Sequence, residues 1–325
     1  MRTGFLPCAI AVLALTIPGA WAQNERPTAP AGQAVPEAPG AHAAATEPEF
    51  PPVNAANFTA AAPSKTEVDA FLHASWGYDL NRVWEVYSIE KTAAPGVSKV
   101  QVLVAEKHNP QLANLMFFVT PDGKHLISQH SVLDFGAHPF ENNYRELQQR
   151  ADGPSRGATA KQFELVEFAD FECPHCKDAQ PEVDRLVQDF PQARYIFESF
   201  PLVNIHPKAF EAAAYGACVA QQGGNAAFFK YAATVFDAQN DLAGQGAEQA
   251  LRNAVTAANL DPDKVAACAA SPAARTAVEA SRRLGEDLNV DETPTLFIDG
   301  RAVPMMGLPY EQLKKIIEWQ FAQDK

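Results

Sequence analysis

Phe163-Glu164-Leu165-Val166-Glu167-Phe168-Ala169-Asp170-Phe171-Glu172-Cys173-Pro174-His175-Cys176 is the stretch that decides the fold. Phe163 to Phe171 reads as a buried strand, and Pro174 to about Phe190 as a helix. Cys173 therefore stands at the mouth of a helix, where free backbone N–H groups and the positive dipole end favour a thiolate. A thiolate is the species that attacks disulfides, so the pair Cys173 and Cys176 suits thiol–disulfide exchange. Half of a zinc site is the competing reading, and zinc needs a second cysteine pair or a His at short spacing. The other cysteines after the N-terminal segment, Cys218 and Cys268, are lone residues far apart. His42, His73, His108, His125, His130, His138 and His206 show no metal spacing. Neither a metal nor a cofactor is expected.

Outward from this stretch, the 325 residues hold two modest domains once an export signal and a linker are set aside. Met1 to Ala22 has a cationic start at Arg2, an apolar core over residues 10–17, and the small-x-small end Ala20-Trp21-Ala22. This is the pattern of a signal peptide cleaved before Gln23, so the mature chain is expected in the periplasm. Cys8 precedes the apolar core rather than following it, which argues against lipidation and leaves it to be discarded with the signal. Loss of Arg2 takes the formal charge from −13 to −14. Such an acidic chain without basic clusters argues against nucleic acid as a partner. No later apolar run reaches the length of a membrane span.

Residues 23–63 are rich in Ala, Pro, Gly and Glu without apolar periodicity, and read as a disordered tether. Ser64-Lys65-Thr66-Glu67 forms a capping box ahead of Val68, Phe71 and Leu72 at helical spacing. Extended stretches follow from Arg82, over 100–104 and over 114–119. Pro121-Asp122-Gly123 then makes a turn into His125-Leu126-Ile127-Ser128, because Pro fixes one dihedral and Gly supplies positive φ. One helix and three or four antiparallel strands give a small α+β domain over 64–136. Residues 137–160 read as a helix running into a polar linker.

From residue 161 the order is strand, the Cys helix, and a second strand over 193–197. A long Ala-rich helical block follows over about 207–288, then a strand over 295–298 and a closing helix over 309–321. This is an α/β (α+β) thioredoxin-like fold with an inserted helical subdomain. Phe228, Phe229, Tyr231 and Phe236 read as core of the insert. His206, before Pro207 at a helix start, reads as a capping or packing residue.

Phe171-Glu172-Cys173-Pro174-His175-Cys176, the helical insert and Glu292-Thr293-Pro294-Thr295 resemble the DsbA-type periplasmic thiol:disulfide oxidoreductases over residues 160–325. The resemblance implies that Cys173 is the exposed nucleophile, that Cys176 resolves the mixed disulfide, and that Pro294 is a cis proline facing them. A cis bond before proline costs only about 0.5–1 kcal/mol, within reach of tertiary packing. It leaves the Thr293 backbone open to an incoming extended peptide. His175 beside a thiolate lowers its pKa and makes the disulfide oxidising; the plain alternative is an uncoupled surface His. Glu167 stands where the family has a buried acid that accepts the Cys176 proton, although strand alternation would instead turn it outward. Asp170 and Glu172 add negative charge that would raise the thiolate pKa. Several proteins of this type also carry two cysteines in the insert. That implies a structural Cys218–Cys268 bridge, worth at most about 4 kcal/mol on the chain-entropy model, against the alternative of two free thiols.

Met116-Phe117-Phe118-Val119-Thr120-Pro121-Asp122-Gly123-Lys124-His125-Leu126-Ile127 resembles the dimerisation domain of the DsbC/DsbG isomerases. The expected activity is donation of the Cys173–Cys176 disulfide to unfolded or partly folded exported proteins. A membrane redox partner, by resemblance quinone-linked, would restore the disulfide. Thr293 departs from the Val usual in DsbA oxidases, which keeps a dimeric disulfide isomerase or a redox-assisted chaperone as the alternative, with homodimerisation through Met116, Phe117 and Phe118.

Overall fold

The computed structural model describes residues 47–128 and 131–323. They fall into two compact units divided between Pro139 and Phe140. The expected export signal, Cys8 and the first part of the expected tether lie outside the described residues. Among the described residues, no helix is long and apolar enough to cross a membrane.

In the first unit, helix α1 (Lys65–Trp76) starts at the capping box: Glu67 accepts the Ser64 N–H at 2.7 Å, and Ser64 Oγ accepts the Glu67 N–H at 3.2 Å. Its buried residues Val68, Phe71, Leu72 and Trp76 recur at helical spacing and cover one face of a sheet. That sheet is a five-stranded antiparallel meander of β1 (Arg82–Lys91), β2 (Ser98–Glu106), β3 (Ala113–Val119), β4 (His125–Ser128) and β5 (Ser131–Asp134). One strand more is present than the sequence pattern gave, because β5 is four residues long and pairs only with β4. Val86, Val100, Val102, Phe117, Val119 and Leu126 complete the core. The tether ends earlier than residue 63. Phe58 bridges to Ile89 and packs on the core, and Ser98 Oγ donates to Ala62 O.

The second unit begins with α2 (Glu141–Arg150), the helix that the sequence pattern sets between the two domains together with a polar linker. The helix belongs here because Leu147 and Ala151 pack against Val166, Phe168, Ile196 and Phe297. Then come β6 (Ser155–Gly157), β7 (Glu164–Ala169), α3 (Pro174–Asp189) and β8 (Arg194–Ser199). The insert is α4 (Ala209–Asp237), α5 (Gln239–Leu242), α6 (Ala247–Ala257), α7 (Pro262–Ala269) and α8 (Pro272–Asp287). β9 (Thr295–Ile298), β10 (Arg301–Pro304) and α9 (Tyr310–Gln323) close the chain. The sheet order is β10-β9-β7-β8-β6, with β7 parallel to β8 and antiparallel to β9, which is the thioredoxin-like arrangement. All six residues of β7 are buried, so this strand has no solvent face. Phe171, just past its end, stacks on Phe197 at 5.4 Å and meets Phe236 at 5.3 Å and Tyr231 at 5.8 Å. The insert's aromatic core is thus continuous with the turn that carries the cysteines.

Candidate active site

Cys173 is the N-cap of α3 and Pro174 its first residue, where the missing N–H of proline is no loss. The Cys176 N–H donates to Cys173 O at 3.1 Å and the Lys177 N–H at 3.3 Å, which start the helix. The Cys173 thiol is pulled down from an ordinary value near 9 to about 5. The Cys176 S–H is the strongest stabiliser of the thiolate; burial opposes it, and the Thr293 side chain and the backbone N–H groups of Cys176 and His175 assist. His175 is exposed and acts on the sulfur through its backbone N–H, whereas the sequence reading invoked its imidazole. Cys173 is also covered rather than exposed, at 5% accessibility, with the Thr293 carbonyl 3.4 Å from its sulfur.

Cys176 is fully buried, and its thiol is pushed well up by burial first and then by the thiolate of Cys173. The two sulfurs therefore differ sharply in acidity: one is an anion at neutral pH and the other keeps its proton. Glu167 is fully buried as well, held by the Tyr195 hydroxyl, and burial raises its carboxyl to about 7. Arg156, stacked 5.1 Å from the Tyr195 ring, partly offsets that rise. The outward-facing alternative for Glu167 fails because β7 is covered on both faces. Its charge also raises the Cys176 thiol, which brings the acid and the second sulfur into one electrostatic unit.

Opposite the cysteines, the Thr293–Pro294 bond is cis. Thr293 Oγ1 is buried without a well-formed hydrogen bond, so its hydroxyl is free to turn toward the Cys173 sulfur and favour the thiolate. Beside this loop opens a groove of about 270 Å³. Ala179, Pro294, Met305, Leu308 and Pro309 form its apolar lining; His175, Asp178 and Glu182 of α3 form its polar edge.

Asp170 and Glu172 do not play the part their charges suggested. Both carboxylates turn onto the segment after β8: Asp170 accepts the Leu202 N–H at 2.7 Å and pairs with His206 at 2.8 Å, and Glu172 accepts the Lys208 N–H. His206 is therefore tied to the cysteine turn, beyond the capping or packing role expected of it. Gln239 has no sequence signal at all. Its side-chain amide donates to both Phe171 O and Cys173 O at 2.9 Å, clamping the start of α3 from the insert. Cys218 on α4 and Cys268 on α7 are joined in a disulfide. Among the described residues, no group of His, Cys, Asp and Glu is arranged to hold a metal.

The family model described as Thioredoxin matches residues 149–319. Among curated proteins, the chain is similar to a Na(+)/H(+) antiporter NhaA 3 of Salinispora tropica, 32% identical over 146 residues, covering 45% of this chain and 21% of that protein. A Na(+)/H(+) antiporter NhaA 1 of Mycolicibacterium vanbaalenii is 35% identical over 167 residues, covering 50% and 24%. The chain thus spans about a fifth to a quarter of the length of the curated relatives it matches. Among solved structures, Proteus mirabilis ScsC in a transitional conformation is 19% identical, with a TM-score of 0.48, over 57% of this chain and 79% of that one. Oxidised BdbD of Bacillus subtilis is 20% identical, with a TM-score of 0.47, over 52% and 93%. The chain belongs to the thioredoxin family. The family match begins at residue 149, so the likeness of residues 116–127 to an isomerase dimerisation domain gains nothing from it.

Proposed function

We propose that this thioredoxin-family chain is an exported, periplasmic oxidase that introduces disulfides into folding proteins. The observation that carries the reading is the split between the two sulfurs: Cys173 near 5 and Cys176 pushed well up. A substrate thiolate attacks Cys173 of the oxidised pair. The Cys173–Cys176 bond breaks, its electrons pass to Cys176, and the Glu167 carboxyl supplies a proton. A second substrate thiolate then attacks the substrate sulfur of the mixed disulfide. The substrate leaves oxidised and Cys173 departs as a thiolate, a good leaving group because its pKa is low. Two electrons have moved to the enzyme, so a membrane redox partner must take them up before the next cycle. Thr293 and Pro294, next to the groove, suit an extended substrate segment, and Cys173 is uncovered as that segment displaces the Thr293 contact.

Stoichiometric oxidation of a dithiol peptide tests the proposal. C173S is expected to lose it by a factor of about a thousand or more, since no other sulfur of the pair is reachable, while C176S traps a mixed disulfide. The thiolate absorbance of the reduced protein should rise with a midpoint near 5. A midpoint near the free-thiol value of about 8.5 would sink the oxidase reading.

One observation favours a dimeric isomerase as the second reading. On the sheet face away from α1, Phe118, Ile127 and Val132 pair directly across β3, β4 and β5, with exposed Met116 on the same side. A second copy of this face would cover them; Phe117, expected at that interface, instead faces the other way and is buried in the core against Phe71. Dimeric mass in light scattering together with reshuffling of scrambled ribonuclease would support that reading, and a monomer that only oxidises would remove it.

A further inference from the structure

We infer that Asp170 is a positioning residue for the leaving sulfur: its carboxylate is fastened by the segment after β8 so that its backbone N–H is held against Cys176 Sγ, where negative charge arrives when the active-site disulfide opens. The residue directly follows β7, and its side chain is completely buried. Three donors converge on that side chain: the Glu172 N–H at 2.7 Å, the Leu202 N–H at 2.7 Å and His206 Nδ1 at 2.8 Å. Leu202 and His206 lie 32 and 36 positions further along the chain. On the other side of the same residue, the backbone N–H reaches Cys176 Sγ at 3.3 Å. The backbone around this N–H is also held, since Ala169 O accepts the Phe200 N–H at 2.8 Å and Asp170 O accepts the Cys173 N–H at 3.1 Å, and the side chain adds its three bonds to that fastening.

The chemistry follows from the exchange step, and the inference rests on the reading of Cys173 as the attacked sulfur. When a thiolate attacks Cys173, one S–S bond forms and the Cys173–Cys176 bond breaks. The electron pair lands on a sulfur that water does not reach. In such a site a pre-aimed N–H stabilises developing charge without reorganisation, as backbone amides do for an oxyanion. The same N–H draws the Cys176 thiol downward against burial, which marks the contact as favouring the anion. At neutral pH Cys176 is protonated after the step, so the N–H acts chiefly on the transition state. It should speed opening and reclosure alike and leave their ratio unchanged.

The test uses the full chain, oxidised at Cys173 and Cys176, with glutathione as the attacking thiol. Rates of opening and reclosure are read by quenching with an alkylating agent and weighing the products. D170A keeps the backbone N–H but removes its side-chain fastening, so it is expected to slow both directions by up to about tenfold, the full worth of one hydrogen bond to a charged atom, with the glutathione equilibrium constant within twofold of wild type. H206A, which removes one fastening of three, should slow both by about threefold. Should D170A fail to fold, H206A carries the test alone. Rates equal to wild type in a folded variant overturn the inference. So does an equilibrium constant that shifts in step with the rates, because that is what a merely loosened active site would give. A wild-type disulfide that glutathione cannot open overturns this inference and the proposed function together; wild-type opening with unaffected variants overturns the inference alone.

Discussion

The second unit contains two pairs of cysteines that share chemistry and little else. Cys173 and Cys176 sit one turn apart at the start of α3, where the backbone N–H groups of His175 and Cys176 face the first sulfur and the second is sealed below it. Cys218 and Cys268 lie 50 residues apart, on α4 and α7, away from either helix N-terminus and in Ala-rich surroundings. The first pair is a free dithiol whose two sulfurs differ widely in acidity; the second is bonded. Position along a helix, more than burial, separates them. Cys173 and Cys218 are both nearly inaccessible, yet only Cys173 has donors aimed at it. A reactive sulfur needs a helix start and a partner S–H, whereas a structural one needs only a neighbour within bonding distance.

The sharpest way to break this division is to remove the bonded pair. C218A/C268A should lower the unfolding free energy by up to about 4 kcal/mol on the chain-entropy model, read by urea denaturation, with the dithiol-peptide oxidation rate unchanged. A matching fall in oxidation rate would mean that the insert's bridge also governs the active pair. Mild reductant followed by alkylation and mass measurement should label Cys173 and Cys176 alone; four labels would erase the distinction.

A somewhat smaller effect separates the redox forms. The Cys173 pKa is lower in the folded reduced protein than the ordinary value near 9. The stability it contributes is therefore complete above about pH 9 and lost as pH falls through about 5. Between pH 5 and pH 8 the reduced form should gain about 3 kcal/mol relative to the oxidised form, which has no Cys173 thiol to titrate. Urea titrations of both forms at the two pH values check this. Parallel curves would mean that the helix start does not hold a thiolate.

How far the sequence reached depends on the range of the interactions involved. The strand-Cys-helix order, the insert and the positions of Thr293 and Pro294 were legible because each rests on local periodicity or a short motif. The fates of Asp170 and His206 were not, since they depend on packing across the chain, and the buried place of Glu167 followed from the family resemblance rather than from its strand pattern. Alternation assigns Glu167 a face only if β7 has a solvent side, and it has none. Asp170 counts as a nearby negative charge until its partners 32 and 36 residues away are known. Gln239 was out of reach altogether: its partners are backbone carbonyls, which leave no mark in a sequence. The helix over 141–150 was read, but its single buried residue, Leu147, is too little to show which unit it joins.

The smallest expected effect tests whether the buried acid belongs to the active pair or merely to the core. Burial raises the Glu167 carboxyl to about 7, above its ordinary value near 4.5. The advantage of its neutral form is complete below about pH 4.5 and lost as pH rises through about 7, the opposite sense to Cys173. Wild-type protein in either redox form should lose about 2 kcal/mol to this group between pH 5 and pH 8. E167Q keeps the shape without the charge, so it should flatten that part of the urea-derived profile and be the more stable protein at pH 8. If Glu167 also moves the Cys176 proton, E167Q will slow release of a trapped mixed disulfide by Cys176 while leaving the midpoint of Cys173 thiolate absorbance near 5. Added stability with unchanged release would make Glu167 a core residue alone. Loss of the flattening would mean that the Tyr195 hydroxyl and Arg156 already hold the carboxylate charged.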